Sequence, residues 1–385
     1  MIDKLIEGRL LTVIVGTVFR AVEVFVRAAH VAVRGLGSLV QKGLAAPIDA
    51  RISVFGKRMV ARTTPVDDSS IVIVERDGEY AGDPKYIAEE LLRRKAPYRI
   101  TWVLRDGAVG PYPSRFHFVG HGTADFFRAV AGAKVVIESG DSLQESGVVR
   151  KPRQHWLQTG SSPLVPDGRG PAGVDGGPGA PTLRLGNARN DILLDGSRSA
   201  AELRKKALDR LGIADTGQRF VLYSPSRGDD GRAAPTSGID FVALRTALSE
   251  RFGGTWDILI RTGDRAPSHA LLAGLPAYCR CACGYPDVQE LLVLADAGIA
   301  DLSGWICDYL LTRKPAFLFA PQRRGAHAAP LPVATSHREL LDNIARFDPR
   351  AHAHLIERFL HACGNADDGK AASRIVDRIE ELMAR

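Results

Sequence analysis

The sequence predicts an α/β protein made of two doubly wound halves behind an amphipathic helical extension. Three observations carry this reading. After Pro65, short β-rich runs alternate with helical stretches in two successive sets, the pattern that builds parallel sheets. Residues 166–181 between the sets, PDGRGPAGVDGGPGAP, hold too many Gly and Pro for regular structure and read as a flexible loop, whether a route for a substrate or a plain surface insertion. Residues 10–40, by contrast, repeat at the helical period.

Taken in order, the extension comes first. Between 10 and 40 the polar residues Thr12, Arg20, Glu23, Arg27, His30 and Arg34 fall on one stripe, while Val13, Phe19, Val22, Phe25, Val26 and Val33 cover a wider opposite arc. Arg20, Glu23 and Arg27 interrupt any run near the roughly 20 apolar residues a membrane span needs. A cleaved signal peptide is disfavoured by Asp3 and Glu7 among the early charges and by the lack of an A-x-A site. The net charge of +7 concentrates here, because residues 1–62 hold ten Lys or Arg against four Asp or Glu. That distribution argues against a nucleic-acid groove across the body and for an anionic membrane surface met by residues 1–62. A helix packed on the protein's own core or on a second copy fits the same pattern, so a homo-oligomer is left open.

The first set contains strands at 71–75, 100–104, 116–119, 134–138 and 155–158, with helices at 84–95 and 124–131. The second follows a capped helix at 199–211, with strands at 220–224, 258–261, 297–301 and 316–319 and helices at 241–251 and 288–294. The expected divisions are 1–62 for the extension, 63–195 for the first half and 196–385 for the second. Two such halves form a cleft where strand C-termini meet. Five cysteines fit a reducing compartment; Cys279, Cys281 and Cys283 alternate without a second Cys or His pair at ligand spacing, so they read as small buried hydrophobes and no metal site is expected.

Chemistry concentrates at 285–321, YPDVQELLVLADAGIADLSGWICDYLLTRKPAFLFAP. An acidic helix leads into a buried strand ending at Asp301, and Leu302-Ser303-Gly304 turns the chain into the next helix. Small residues after a strand let backbone N–H groups approach a phosphate. Arg227 and Arg261 follow two other strands, where guanidinium groups can clamp phosphate bidentately. A structural reading stands beside each: Asp301 and Ser303 also fit as helix caps, and Asp287 and Glu290 as an exposed first helical turn.

This segment resembles the CDP-glycerol glycerophosphotransferase family, the teichoic acid and capsule polymer polymerases. Asp287, Glu290, Leu291, Leu292, Asp296, Asp301, Ser303, Asp308, Tyr309, Lys314 and Pro315 match its motif position by position. YRITWVLRDG at 98–107, AKVVIESG at 133–140, LYSPSR at 222–227 and DDGKAASRIVDRI at 367–379 extend the likeness over residues 70–380. The resemblance implies two Rossmann-like domains of GT-B type, an acceptor side in 63–195 and a nucleotide-donor side in 196–385. It implies a donor such as CDP-glycerol, an acceptor hydroxyl on a lipid-linked or glycan polymer, release of CMP, and work at the cytoplasmic face of the membrane. No cofactor is implied beyond the CDP-polyol substrate, and Arg227, Arg261, Asp287, Glu290, Asp301, Ser303, Gly304 and Asp308 are the expected donor-binding residues.

One departure concerns histidine. Where the family carries QTWHGTPLK, this chain reads Gln158-Thr159-Gly160-Ser161-Ser162-Pro163-Leu164, and a second family histidine aligns with Gly263. Three readings follow. His155 serves as base, with His121, His269 and His327 also available; or the Ser161 and Ser162 hydroxyls bind phosphate or acceptor; or the chain binds a donor without turning it over, as a scaffold. A nucleotide-sugar glycosyltransferase is the alternative within enzymes, because fold alone does not choose the donor.

Overall fold

The computed structural model describes residue 56 and residues 59–385, apart from 106–107, 109, 141, 160–172, 176–184, 195–199, 226–237, 263–273, 302–303 and 322–329. The expected amphipathic extension thus lies almost wholly outside the described residues.

The first half runs β1 (Asp67–Val74), α1 (Gly82–Arg93), β2 (Arg99–Leu104), β3 (His117–Gly120), α2 (Ala124–Gly132), β4 (Ala133–Ser139), α3 (Ser142–Glu145), β5 (His155–Thr159) and β6 (Gly173–Asp175). Its strands lie in the order β3-β2-β1-β4-β5-β6, all parallel except the last pair. β6 falls inside the Gly/Pro-rich segment, where no regular structure was expected. An edge strand needs hydrogen bonds on one side only, and Gly173-Val174-Asp175 contains no proline to remove a donor.

A short 3₁₀ turn (Ala188–Asn190) and α4 (Asp191–Leu194) lead to α5 (Ala200–Leu211) and the second half. This continues with β7 (Arg219–Ser224), α6 (Phe241–Phe252), β8 (Trp256–Ile260), β9 (Cys279–Cys281), α7 (Val288–Leu294), β10 (Ala297–Ala300), α8 (Trp305–Leu310), β11 (Ala316–Phe319) and β12 (Val333–Ala334). The chain closes with α9 (His337–Ala345), α10 (Pro349–Ala362) and α11 (Ala371–Ala384). The second sheet is wholly parallel in the order β12-β11-β10-β7-β8-β9. The two-sheet α/β architecture expected from the sequence is therefore the one observed.

Central strands are apolar on both faces because helices cover both sides. Ile71 and Ile73 pack with α1 and with Ile375, Val376 and Ile379 of α11, whereas Val72 and Val74 pack against Phe126 and Val130 of α2. In the second sheet Phe220 and Leu222 meet α7, α8 and α10, and Val221 and Tyr223 meet α6 and α9. α11, which follows the second sheet in sequence, thus seals the first. Helix starts follow local chemistry: Thr123, Asp240, Asp287 and Asp348 each accept a backbone N–H of the helix they precede.

Strand order reverses beside the first strand of each sheet, between β1 and β4 and between β7 and β10. Ligands of doubly wound sheets sit outside the carboxyl ends of the strands at such reversals. Three strands stop one residue before the sequence suggests, leaving Glu75, Arg261 and Asp301 just beyond β1, β8 and β10. A charged side chain is costly inside a strand covered on both faces, so each is delivered to the strand-end surface.

Candidate functional site

At the first reversal the chain leaves β1 through a rigid turn. The Glu75 carbonyl accepts from Gly78 N at 3.1 Å, and the Glu75 carboxylate Oε2 accepts from Asp77 N at 2.7 Å and Glu79 N at 3.0 Å. Gly78 is held in turn, its carbonyl accepting from Tyr112 Oη at 2.7 Å and Trp102 Nε1 at 3.3 Å. Its φ of +74° lies in the left-handed region, and a Cβ there would stand 2.4 Å from Arg105 N, so only glycine fits. Burial pushes the Glu75 carboxyl up to about 7, as do the Asp77 and Glu79 charges, against the lowering effect of the two N–H bonds.

At the second reversal Asp301 is half-buried and its charge helps raise the Tyr223 hydroxyl, already raised by burial. Gly304 is exposed just before α8, and Trp305 Nε1 is buried with no hydrogen-bond partner. The Nε of Arg261 is also buried without a partner. Burial pulls this guanidinium below its ordinary value even though Glu79, Cys283 and Asp287 lie near enough for their charges to oppose the shift. Glu79 belongs to the β1 turn, so Arg261 brings the two strand-end surfaces together.

The halves are joined by a buried polar network. Lys85 on α1 reaches Asp287 Oδ2 at 2.5 Å and Glu290 Oε1 at 3.0 Å, and Tyr86 Oη donates to Asp287 Oδ2 at 2.9 Å. Glu290 also accepts from Lys206 Nζ at 2.6 Å and Tyr285 Oη at 2.6 Å. Burial favours its neutral form, but Lys85, Lys206 and Tyr285 overcome it and hold Glu290 at about 2. Burial works against the Lys85 charge as well, and Asp287 and Glu290 outweigh it, leaving Lys85 above its ordinary value. Beside this cluster, Arg189 donates to Asp83 Oδ2 at 2.5 Å and Asp308 Oδ2 at 2.9 Å, and Asn190 and Gln289 add donors to Asp308 at 3.2 and 3.1 Å.

The structure therefore sorts the expected site residues into three groups. Arg261, Asp301 and Gly304 stand at the strand ends. Asp287, Glu290 and Asp308 are buried at 2%, 5% and 6% exposure, and in place of the exposed first turn weighed for Asp287 and Glu290 the carboxylates engage Lys85, Lys206 and Arg189. His155 opens β5, at the far end from Thr159 and roughly 13 Å along the strand from it. It does not join the strand-end group, and burial together with Lys134 and Arg150 lowers its pKa. Ser161, Ser162, Arg227 and Ser303 lie outside the described residues. No group of three or more His, Cys, Asp or Glu able to hold a metal ion occurs among the described residues. Sequence reasoning missed Lys85, Lys206, Arg189 and Glu75, whose partners lie far away in the chain.

Comparison with known proteins decides the family. Residues 180–381, more than half of the chain, match the family described as CDP-Glycerol:Poly(glycerophosphate) glycerophosphotransferase. The chain belongs to this family. A teichoic acid poly(glycerol phosphate) polymerase of Staphylococcus epidermidis is 21% identical over 356 residues, covering 78% of this chain and 49% of the relative. A teichoic acid glycerol-phosphate transferase of Staphylococcus aureus is 23% identical over 216 residues, covering 51% of this chain and 54% of the relative. The chain thus spans about half the length of the curated relatives it matches. A solved structure of the wall teichoic acid polymerase TagF shares the fold, with a TM-score of 0.68 at 21% identity over 94% of this chain and 98% of that one.

Proposed function

We propose that this glycerophosphotransferase-family chain moves glycerol phosphate from CDP-glycerol to a hydroxyl of a lipid-linked or glycan polymer in cell-surface polymer synthesis, releasing CMP. The observation that carries the reading is the family match over 180–381, which spans the second sheet and its strand-end turn. Arg261 supports it: a buried guanidinium whose Nε lacks a partner gains most from a phosphate oxygen. The buried Trp305 indole N–H beside the Asp301 turn is a second donor of the same kind. Phosphoryl transfer of this type asks the protein for positioning and charge neutralisation, and strand-end groups on two joined halves suit both demands.

The donor assignment is tested by calorimetry on the full chain. CDP-glycerol is expected to bind at least 10-fold more tightly than UDP-glucose, and Arg261→Met to weaken it about 10-fold. Equal affinity for the two donors overturns the assignment. The same reading places the protein on the cytoplasmic membrane face through residues 1–62. Among the described residues no helix is long and apolar enough to cross a membrane, and the +6 charge of residues 1–62 suits anionic lipid. Sedimentation of the full chain with phosphatidylglycerol vesicles but not phosphatidylcholine vesicles is the expected result; equal recovery with both removes the electrostatic argument.

A further inference from the structure

We propose that Glu75 is the general base of the transfer, its Oε1 taking the proton of the acceptor hydroxyl as that oxygen attacks the glycerol-bearing phosphorus. The inference rests on the glycerophosphotransferase reading above and adds to it a residue that the sequence did not single out.

Placement is the first argument. Val74 pairs with Glu138 and Ser139 pairs with Thr159, so Glu75, Ser139 and Thr159 stand side by side at the ends of β1, β4 and β5. Glu75 is at the strand reversal of the first sheet, where a doubly wound half presents its ligand. The family-like segment that lacks histidine begins at Gln158, two strands and roughly 10 Å from Glu75. The charge of Glu79 in the same turn acts on Arg261 of the second half, so the two lie near each other.

Orientation is the second. Both backbone N–H bonds fall on Oε2, whereas among the described residues Oε1 has only Ser139 Oγ at 3.5 Å, beyond a good O–H···O distance. One oxygen is anchored and the other keeps its acceptor capacity. The turn that holds it is fixed by Gly78, Trp102 and Tyr112, so the carboxylate is positioned before any substrate arrives.

Burial does most to set the protonation of Glu75, and the groups facing it adjust the balance. Asp77 and Glu79 from its own turn disfavour the charged form, and Ser139 from β4 presents a hydroxyl. Arg76 extends past the end of β4, its Nε 2.8 Å from where a Gly140 Cβ would be, and Arg105 supplies backbone at the end of β2. Arg261 of the second half lies near enough to Glu79 for the two charges to act on each other. The balance leaves the carboxyl at about 7, where it is ionised enough to act and basic enough to take a proton. In the step, the acceptor oxygen forms a bond to phosphorus and the phosphorus–oxygen bond to CMP breaks. CMP leaves with that electron pair, the proton rests on Glu75 Oε1, and solvent then removes it.

The test compares full-length wild type with E75Q and E75D, using CDP-glycerol as donor and a lipid-tailed tri(glycerol phosphate) as acceptor. Calorimetry gives the Kd of CDP-glycerol, and CMP release from pH 5.5 to 9 gives kcat. Wild-type kcat is expected to rise tenfold per pH unit below about 7 and then level off. E75Q is expected to bind CDP-glycerol within about 2-fold of wild type while losing about 100-fold or more in kcat and the acidic limb with it; E75D should keep the limb at reduced rate. An E75Q kcat within about 3-fold of wild type, or an unchanged acidic limb in E75Q, overturns the base assignment and leaves the transferase reading standing. Loss of CDP-glycerol binding in E75Q also overturns it, since Glu75 would then support the donor site rather than move a proton. Wild type that binds CDP-glycerol but releases no CMP overturns both readings.

Discussion

Replacing Lys85 by Met removes the one cation among the described residues of the first half that both Asp287 and Glu290 reach. The ammonium lies 2.5 Å from Asp287 and 3.0 Å from Glu290, with the three side chains 7%, 3% and 5% exposed. After substitution Glu290 keeps Lys206 and Tyr285, but among the described residues Asp287 keeps only neutral hydrogen-bond donors, Tyr86 and the Gln289 N–H. The buried Asp287 carboxylate loses its one ion pair among the described residues, and breaking a buried pair this way costs roughly 3–5 kcal/mol. The pH dependence carries a sign as well. Glu290 sits at about 2 instead of the ordinary 4.5, so its contribution is full above 4.5 and is lost as pH falls towards 2. Lys85, raised above its ordinary value, contributes below that value and ceases to do so as pH rises past it. Without the lysine, burial acts on Glu290 with less opposition and its protonation relieves part of the excess charge, so the deficit of K85M should be largest near pH 8 and shrink towards pH 5. Urea denaturation followed by tryptophan fluorescence at pH 5, 6.5 and 8 reads this directly. A cost below about 1 kcal/mol, or one that does not change with pH, would refute the view that these charges are mutually dependent.

Other expectations follow from single sites. Because folding holds Glu75 at about 7 against an ordinary 4.5, ionising it costs roughly 3 kcal/mol; wild type should gain stability as pH falls from 7 to 4.5, and E75Q should be the more stable protein at pH 8. A melting temperature of E75Q that does not exceed wild type at pH 8 would count against that burial argument. Gly78→Ala meets both a φ of +74° and a 2.4 Å approach to Arg105 N, so a loss of about 2 kcal/mol or more is expected by denaturation, with kcat falling as the turn shifts. Gly298→Ala would place a methyl 2.9 Å from the buried Tyr309 ring and should cost about 1–3 kcal/mol, whereas an unchanged melting curve would mean that the ring moves freely. Asp301→Ala is expected to weaken CDP-glycerol binding about 10-fold with the fold intact; unchanged binding would remove this turn from the donor site.

Much of the architecture was legible because it is written in local periodicity. The runs IVIV at 71–74 and FVLYS at 220–224 are apolar enough to demand cover on both faces, and Asp240 and Asp287 mark helix starts through their own cap hydrogen bonds. The strand-end position of Arg261 and Asp301 follows from the same signal, since each charge closes an apolar run. What no local pattern carries is pairing across the chain. Asp287 and Glu290 look like an exposed first turn until Lys85, some 200 residues away, is seen to occupy them. Glu75 looked like the last residue of a strand, and only the turn made by Gly78 shows it held beyond the ladder. The return of α11 to the first sheet is equally invisible, because the amphipathic spacing of Ile375, Val376 and Ile379 says that a core is needed without saying which one.

The proposed glycerol phosphate transfer yields two products that can be followed at once. Full-length protein is incubated with radiolabelled CDP-glycerol and a lipid-tailed tri(glycerol phosphate), and CMP release and label in the extended lipid product are followed together. Equal amounts of the two are expected, with no transfer from UDP-glucose. Donor bound with neither product formed, or sugar transferred in place of glycerol phosphate, would contradict the proposed transfer.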